Sequence, residues 1–137
     1  AYDRVNNVHE NSISKINLDL SIKIHQELGP GLFESVYESI LCYELEKAGL
    51  TIIAQADIPV KYDGKTFGKG FRADIIVNDK VLIELKSVER LGNIHKKQVL
   101  TYLKLTDLKL GLLINFNEKL LKHGFVRIVN GLEDNLL

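Results

Sequence analysis

The stretch FRADIIVNDKVLIELKSVE, residues 71–89, decides the fold. Two apolar runs, IIV and VLI, flank the turn-forming Asn78-Asp79-Lys80, so the stretch reads as a β-hairpin. Charged residues break the apolar pattern at the edges of these runs: Asp74 before the first, Glu84 and Lys86 after the second. Successive strand side chains alternate faces, so Glu84 and Lys86 share a face with Leu85 opposite. Loop length decides whether Asp74 joins them. A two-residue loop pairs 77 with 80 and turns Glu84 away from Asp74. A three-residue loop pairs 77 with 81, and therefore 74 with 84. The second register is expected, because it sets two carboxylates side by side near Lys86, and a one-residue slip would separate them.

Such a pair needs a chemical reason. Buried charge is costly unless it is paired or holds a metal, and adjacent carboxylates repel unless a cation sits between them. Hard oxygen ligands favour Mg²⁺ or Mn²⁺. A lysine beside such an ion orients a water and stabilises charge developing on a phosphate. Acid, then acid–x–lysine, on a hairpin thus has the logic of metal-dependent phosphodiester hydrolysis. The plainer reading is a cross-strand salt bridge from Asp74 or Glu84 to Lys86 or Arg72.

Outward from the hairpin, helices and short strands alternate. Apolar residues at 13, 16, 20 and 24 predict a helix to about Leu28, ended by Gly29-Pro30-Gly31. A second helix is expected from about Leu32 to Ala48, closed by Gly49 in the C′ position. Its core stripe is Leu41, Leu45 and Ala48, and runs back through Tyr37 or Glu38 to Glu34 at the head. TIIAQA and IPVKY read as two strands before the Asp63-Gly64 turn. Gly68 and Gly70 mark a bulge or a close backbone approach. A third helix is expected over Asn93–Leu105 with Asn93 as N-cap, then a buried strand LKLGLLINF and a final strand FVRIV. The fold class is α+β or mixed α/β: a small sheet flanked by helices.

At 137 residues, 45% hydrophobic and 26% charged, the chain reads as one globular domain over 1–137, with residues 1–12 a polar, frayed N-terminal segment. No apolar run approaches the roughly 20 residues that span a bilayer, and no secretory pattern opens the chain. A cytoplasmic protein with no membrane partner is expected. The single Cys42 excludes an internal disulfide or a cysteine-cluster zinc site, and reads as a packed thiol. Eighteen basic against eighteen acidic residues argue against a strongly basic nucleic-acid wrapper. Lys96, Lys97, Lys104 and Lys109 read as a solvated face rather than phosphate ligands, and Tyr62, Phe67 and Phe71 as core rather than base-stacking residues.

The remaining candidates lie on the helices. Glu34 heads the second helix, where an acid also complements the helix dipole. Gln98 and Tyr102, four apart, share a face of the third helix. His25 lies late in the first helix, where a lone histidine usually caps or faces solvent.

Taken together, these residues resemble a known family. Gly31-x-x-Glu34-x-x-Tyr37, inside LGPGLFESVYE, is the motif of the GxxExxY family, which is similar to a compact branch of the PD-(D/E)XK nuclease superfamily. The likeness runs from about His25 to Gly131 and includes the 71–89 hairpin, HKKQVLTYLK, LKLGLLINF and RIVNG. It implies the restriction-endonuclease-like αβββαβ core. Asp74 matches the motif aspartate, Glu84 and Lys86 its (D/E)-x-K, and Glu34 the first-helix acid that supplies or supports a metal ligand. Gln98 and Tyr102 match the Q-x-x-x-Y element beside RecB-like sites, and His25 an upstream histidine. Ala73 stands where the motif has proline.

The resemblance implies a Mg²⁺- or Mn²⁺-dependent nuclease, with DNA the favoured substrate. Glu34, Asp74, Glu84 and the Leu85 carbonyl would hold metal, Lys86 would position water, and Gln98, Tyr102, Tyr37 and His25 would support the site. Products would carry 5′-phosphates. The alternative is a catalytically silent module that binds nucleic acid or a protein, or forms a homodimer scaffold; a chain this small has little surface with which to grip a duplex alone.

Overall fold

The computed structural model describes residues 8–133. Strands β2 (Lys65–Val77) and β3 (Val81–Lys86) form the expected hairpin. Asn78 and Asp79 adopt φ of 52° and 53°, left-handed values that Asn and Asp tolerate better than most residues. Lys80 N–H closes the turn on the Val77 carbonyl at 2.9 Å. Val77 then pairs with Val81, Ile76 with Leu82 and Ile75 with Ile83. This is the three-residue-loop register.

The sheet has five strands in the order β1-β2-β3-β4-β5, with β1 at Ile52–Tyr62, β4 at Leu110–Asn115 and β5 at Phe125–Val129. β3 and β4 are parallel and every other neighbouring pair is antiparallel. A parallel pair needs a crossover. Helix α3 (Asn93–Thr106) supplies it, so the chain is mixed α+β with the restriction-endonuclease-like arrangement. TIIAQA and IPVKY merge into the single strand β1. Pro59 does not break it, because β1 is an edge strand and Pro59 stands opposite a bulge. Ile58 pairs with Phe71 and Val60 with Phe67, so Gly68, Lys69 and Gly70 bulge from β2 as expected.

Helices cover both faces, which is why β3 and β4 are apolar nearly throughout. On one face, Ile75, Val77, Val81, Ile83 and Leu85 pack with residues of α1 (Glu10–Leu28) and α2 (Glu34–Lys47). On the other, Ala73, Leu82 and Leu113 pack with Val99, Tyr102 and Leu103 of α3. The helix sits directly on β4: a Cβ at Gly111 would meet Val99 Cγ1 at 2.6 Å.

Helix boundaries differ in detail from the expected ones. α1 starts at Glu10, so 10–12 are helical rather than frayed; His9 Nδ1 accepts the Asn11 N–H and caps it. Residues 1–7 of the expected N-terminal segment lie outside the described residues. Gly92, not Asn93, is the N-cap of α3, and its N–H donates to His95 Nδ1 at 3.0 Å. α2 ends as expected: Gly49 has φ 90°, Leu50 N–H bonds Leu45 O, and Gly49 N–H bonds Glu46 O, a Schellman closure. The buried stripe of α2 is Tyr37, Leu41 and Leu45. Ala48 is exposed, because the closing turn carries it off the sheet.

Candidate active site

The β2–β3 ladder stops at Ile75 and Ile83. Asp74 and Glu84 come next and face one another, and carboxylates replace the ladder bonds. Asp74 N–H donates to Glu84 Oε1 at 3.1 Å, and Leu85 N–H donates to Asp74 Oδ2 at 2.8 Å. Each acid therefore keeps one oxygen on the backbone and one for other partners. Lys86 lies near enough to lower both carboxyls, yet it makes no ion pair with either among the described residues. The plain cross-strand salt bridge is absent there; Arg72 pairs with Asp57 instead, at 3.4 Å.

Burial dominates the electrostatics. Glu84 is only 6% exposed, and burial first, then the Asp74 charge, pushes its carboxyl up to about 8. Burial likewise raises Asp74, opposed by the Leu85 N–H and Lys86 and reinforced by Glu34. Buried like charges disfavour ionisation in this way. The site holds more negative charge than the protein compensates.

Helix α2 brings further acids to the same end of the sheet. Glu34 Oε1 accepts the Ser87 N–H at 3.2 Å, and Ser87 Oγ donates to the Leu32 carbonyl at 3.1 Å. The exit of β3 is thus stitched to the loop before α2. Tyr37 shapes that loop. Its hydroxyl donates to Gly29 O and accepts from Leu32 N–H, while its ring stacks on Phe116 with centroids 4.4 Å apart. One turn beyond Glu34, Glu38 is raised by burial and by Asp74. Gln55 Nε2 reaches Glu38 Oε1, and lies 3.5 Å from Asp74 Oδ1. Gln55 has φ 53° within β1, and residues 55 and 74 do not pair although both neighbouring pairs do.

The other candidates fall at different distances from this centre. Tyr102 is buried on α3 against Phe71, ring centroids 4.7 Å apart, and its hydroxyl is raised by burial and by the charges of Glu84 and Asp74. Gln98 lies one turn earlier and is exposed; among the described residues it makes no hydrogen bond to the carboxylates. His25 is neither a cap nor solvent-facing: it is 8% exposed and its Nε2 lies 2.7 Å from Glu118 O. It ties α1 to the loop after β4, outside the carboxylate cluster. Cys42 is half-buried, and burial with nearby Glu38, Glu46 and Asp74 pushes its thiol up to about 11, as a packed thiol requires. Tyr62 and Phe67 are not core: they are 73% and 53% exposed, because they lie beyond the reach of α3.

Glu38, Gln55 and Asn115 were missed from sequence. The stripe through 34, 38 and 41 carried a signal for Glu38. A left-handed glutamine inside a strand leaves none. Fully buried Asn115 bonds both the N–H and the C=O of Val88 and so fixes the chain just after Lys86.

The donor set here is hard: carboxylate oxygens and, from the Leu85 carbonyl, a backbone oxygen. In an extended strand the C=O lies on the same edge as the residue's own N–H, which here faces Asp74. Such donors fit Mg²⁺ or Mn²⁺ rather than zinc, and Mg²⁺ is commonly held by only one or two carboxylates plus water. Among the described residues no three His, Cys, Asp or Glu side chains are gathered closely enough to enclose an ion by themselves. No helix among them is long and apolar enough to cross a membrane.

Comparison with known proteins agrees with this geometry. The family model of the PD-(D/E)XK nuclease superfamily matches residues 11–128. No curated protein and no solved structure matches the chain. The chain belongs to the PD-(D/E)XK nuclease superfamily.

Proposed function

We propose that this member of the superfamily is a Mg²⁺- or Mn²⁺-dependent nuclease that hydrolyses phosphodiester bonds of DNA, and that Gly31-x-x-Glu34-x-x-Tyr37 puts it in the GxxExxY branch. The observation that carries the reading is the facing of Asp74 and Glu84 at the open end of β2–β3, with excess negative charge and Lys86 two residues on. Asp74, Glu84 and the Leu85 carbonyl would hold the ion, and Glu34 would support it. A bound ion supplies Lewis-acid activation of the phosphate and lowers the pKa of a coordinated water. Lys86 orients the attacking water and stabilises charge on the phosphate. Gln98, on the exposed face of α3, contacts a phosphate oxygen, and the Tyr102 hydroxyl supports Glu84. Tyr37 and His25 act at one remove, holding the loops on either side. The products carry 5′-phosphates.

A second reading rests on Glu34, whose Oε1 accepts the Ser87 N–H rather than aiming at the acids. On that reading the fold is kept as a catalytically silent module that binds nucleic acid or protein. Calorimetric titration of Mn²⁺ and Mg²⁺ into wild type and Asp74→Ala, then plasmid and linear-DNA cutting, separates the two. The nuclease reading expects binding and cutting, both lost in the variant, and no cutting by Lys86→Ala. Turnover by Lys86→Ala overturns its assigned role. No ion binding by wild type leaves the silent module.

A further inference from the structure

The β1–β2 hairpin runs on past the helices that cover the rest of the sheet. Its outer part, PVKYDGKTFGKGFR (residues 59–72), carries Lys61, Lys65, Lys69 and Arg72 against a single acid, Asp63. Arg72 is paired with Asp57; Lys61 and Lys65 make no ion pair among the described residues. Tyr62 pairs with Lys65 and Val60 with Phe67. Opposed residues of an antiparallel pair share a face, so Tyr62, Lys65 and Phe67 lie together. Tyr62 and Phe67 meet edge to face, centroids 6.4 Å apart at 62°, although both are mostly exposed. Below them on that face come Ile58 and Ala73, packed with Tyr102 and Leu82. It is also the face of Glu84, two residues beyond Leu82 on β3.

We propose that the tip of this hairpin is a binding arm for single-stranded nucleic acid, stacking unpaired bases on Tyr62 and Phe67 while Lys65, on the same face, neutralises a flanking phosphate. The occupant follows from the chemistry. Exposed aromatic rings interleaved with unpaired lysines suit a strand whose bases are free to stack, whereas an apolar protein partner leaves those cations without counter-charge. Net charge over the chain is zero, so this segment is a local concentration of positive charge offset by a net negative remainder. Phe67 stands opposite Val60 and Ala73 opposite Ala56, so across the bulge Asp74 lies about five β1 residues from Phe67, roughly 17 Å at about 3.3 Å per residue. At about 3.4 Å per nucleotide of a stacked strand, that is about five nucleotides. The arm deepens the nuclease reading and rests on it for the substrate: it grips the strand that the carboxylates cut.

Fluorescence anisotropy of the full chain without divalent ions, on labelled oligothymidylate and on a duplex of equal length, tests the arm. Cutting is assayed separately with Mn²⁺. Tyr62→Ala/Phe67→Ala is expected to weaken single-strand binding at least about tenfold. Lys65→Gln, which leaves the rings in place, should reduce the salt slope by about 0.7, the value of one phosphate contact. Unchanged affinity and slope in both variants, no single-strand binding by wild type, or an equal loss on duplex overturns the arm. So does an aromatic variant that only dissociates a homodimer in sedimentation, which would make the tip a self-association surface. Arm-dependent binding without cutting sinks the nuclease reading and keeps the arm. Cutting whose substrate affinity ignores both variants does the reverse.

Discussion

The β2–β3 pair has two ends that differ in kind. At the turn end, Ile75, Val77, Val81, Leu82 and Ile83 are all fully buried and the ladder is complete. At the other end the ladder stops, and the carboxyls of Asp74 and Glu84 take the backbone N–H groups that it would have used. The two ends share strands and differ by a few residues of sequence. One is held by apolar area, the other by bonds to groups that prefer not to be ionised where they are. Stability therefore resides at the turn end and reactivity at the open end, and substitutions at the two should separate accordingly.

The largest stability effect is expected at the closed end. Ile83→Ala removes a fully buried side chain between β2 and β4, and should cost about 2–5 kcal/mol in urea denaturation. A loss no greater than that of an open-end variant would break the contrast. Next comes Tyr37→Phe, which keeps the stack on Phe116 but leaves the Gly29 carbonyl and the Leu32 N–H unpartnered. About 1–3 kcal/mol is expected, with a fall in cutting from the loosened loop that delivers Glu34. Full activity in a destabilised variant would detach that loop from the site.

How much of this was legible in sequence follows the same division. The hairpin register was readable because only the three-residue loop sets two carboxylates side by side near Lys86, and Asn78-Asp79 supplies the left-handed residues that the turn needs. The facing of Asp74 and Glu84 came with the register. The merging of β1 across Pro59 was not readable, since a proline is tolerated there only because the strand is at the edge and faces a bulge. In sequence Tyr62 and Phe67 look like core, because composition cannot show where a covering helix ends. Glu38 and Gln55 join the site through a β1 irregularity that no local pattern announces.

The open end should also reveal itself through pH. Folded Glu84 holds its proton up to about 8 against an ordinary 4.5. A raised folded value adds stability that is complete below 4.5 and is lost as pH rises towards about 8, by at most about 1.4 kcal/mol per pH unit. Glu84→Gln keeps an acceptor for the Asp74 N–H and does not titrate. In metal-free buffer, the variant should gain on wild type in melting temperature as pH rises through that window. Divalent ion should restore wild type and leave the variant unmoved. A flat difference curve would mean that water already reaches the carboxyl.

The smallest stability effect, and the sharpest separation, is expected from Asp74→Asn. The amide oxygen can still accept the Leu85 N–H, so the open end keeps its geometry and stability should change by less than about 1 kcal/mol. The charge is lost, and with it the second-largest cause of the raised Glu84 carboxyl. The Glu84 value should therefore fall, readable by carboxyl NMR titration. Mn²⁺ affinity should drop by more than the roughly 10–100-fold that loss of an outer partner causes. If stability and ion affinity fell together, the acids would be props of the sheet and the two ends would differ in composition alone. If affinity falls while the fold holds, the open end is a place where the sheet has exchanged two backbone bonds for two charges whose use lies outside the fold.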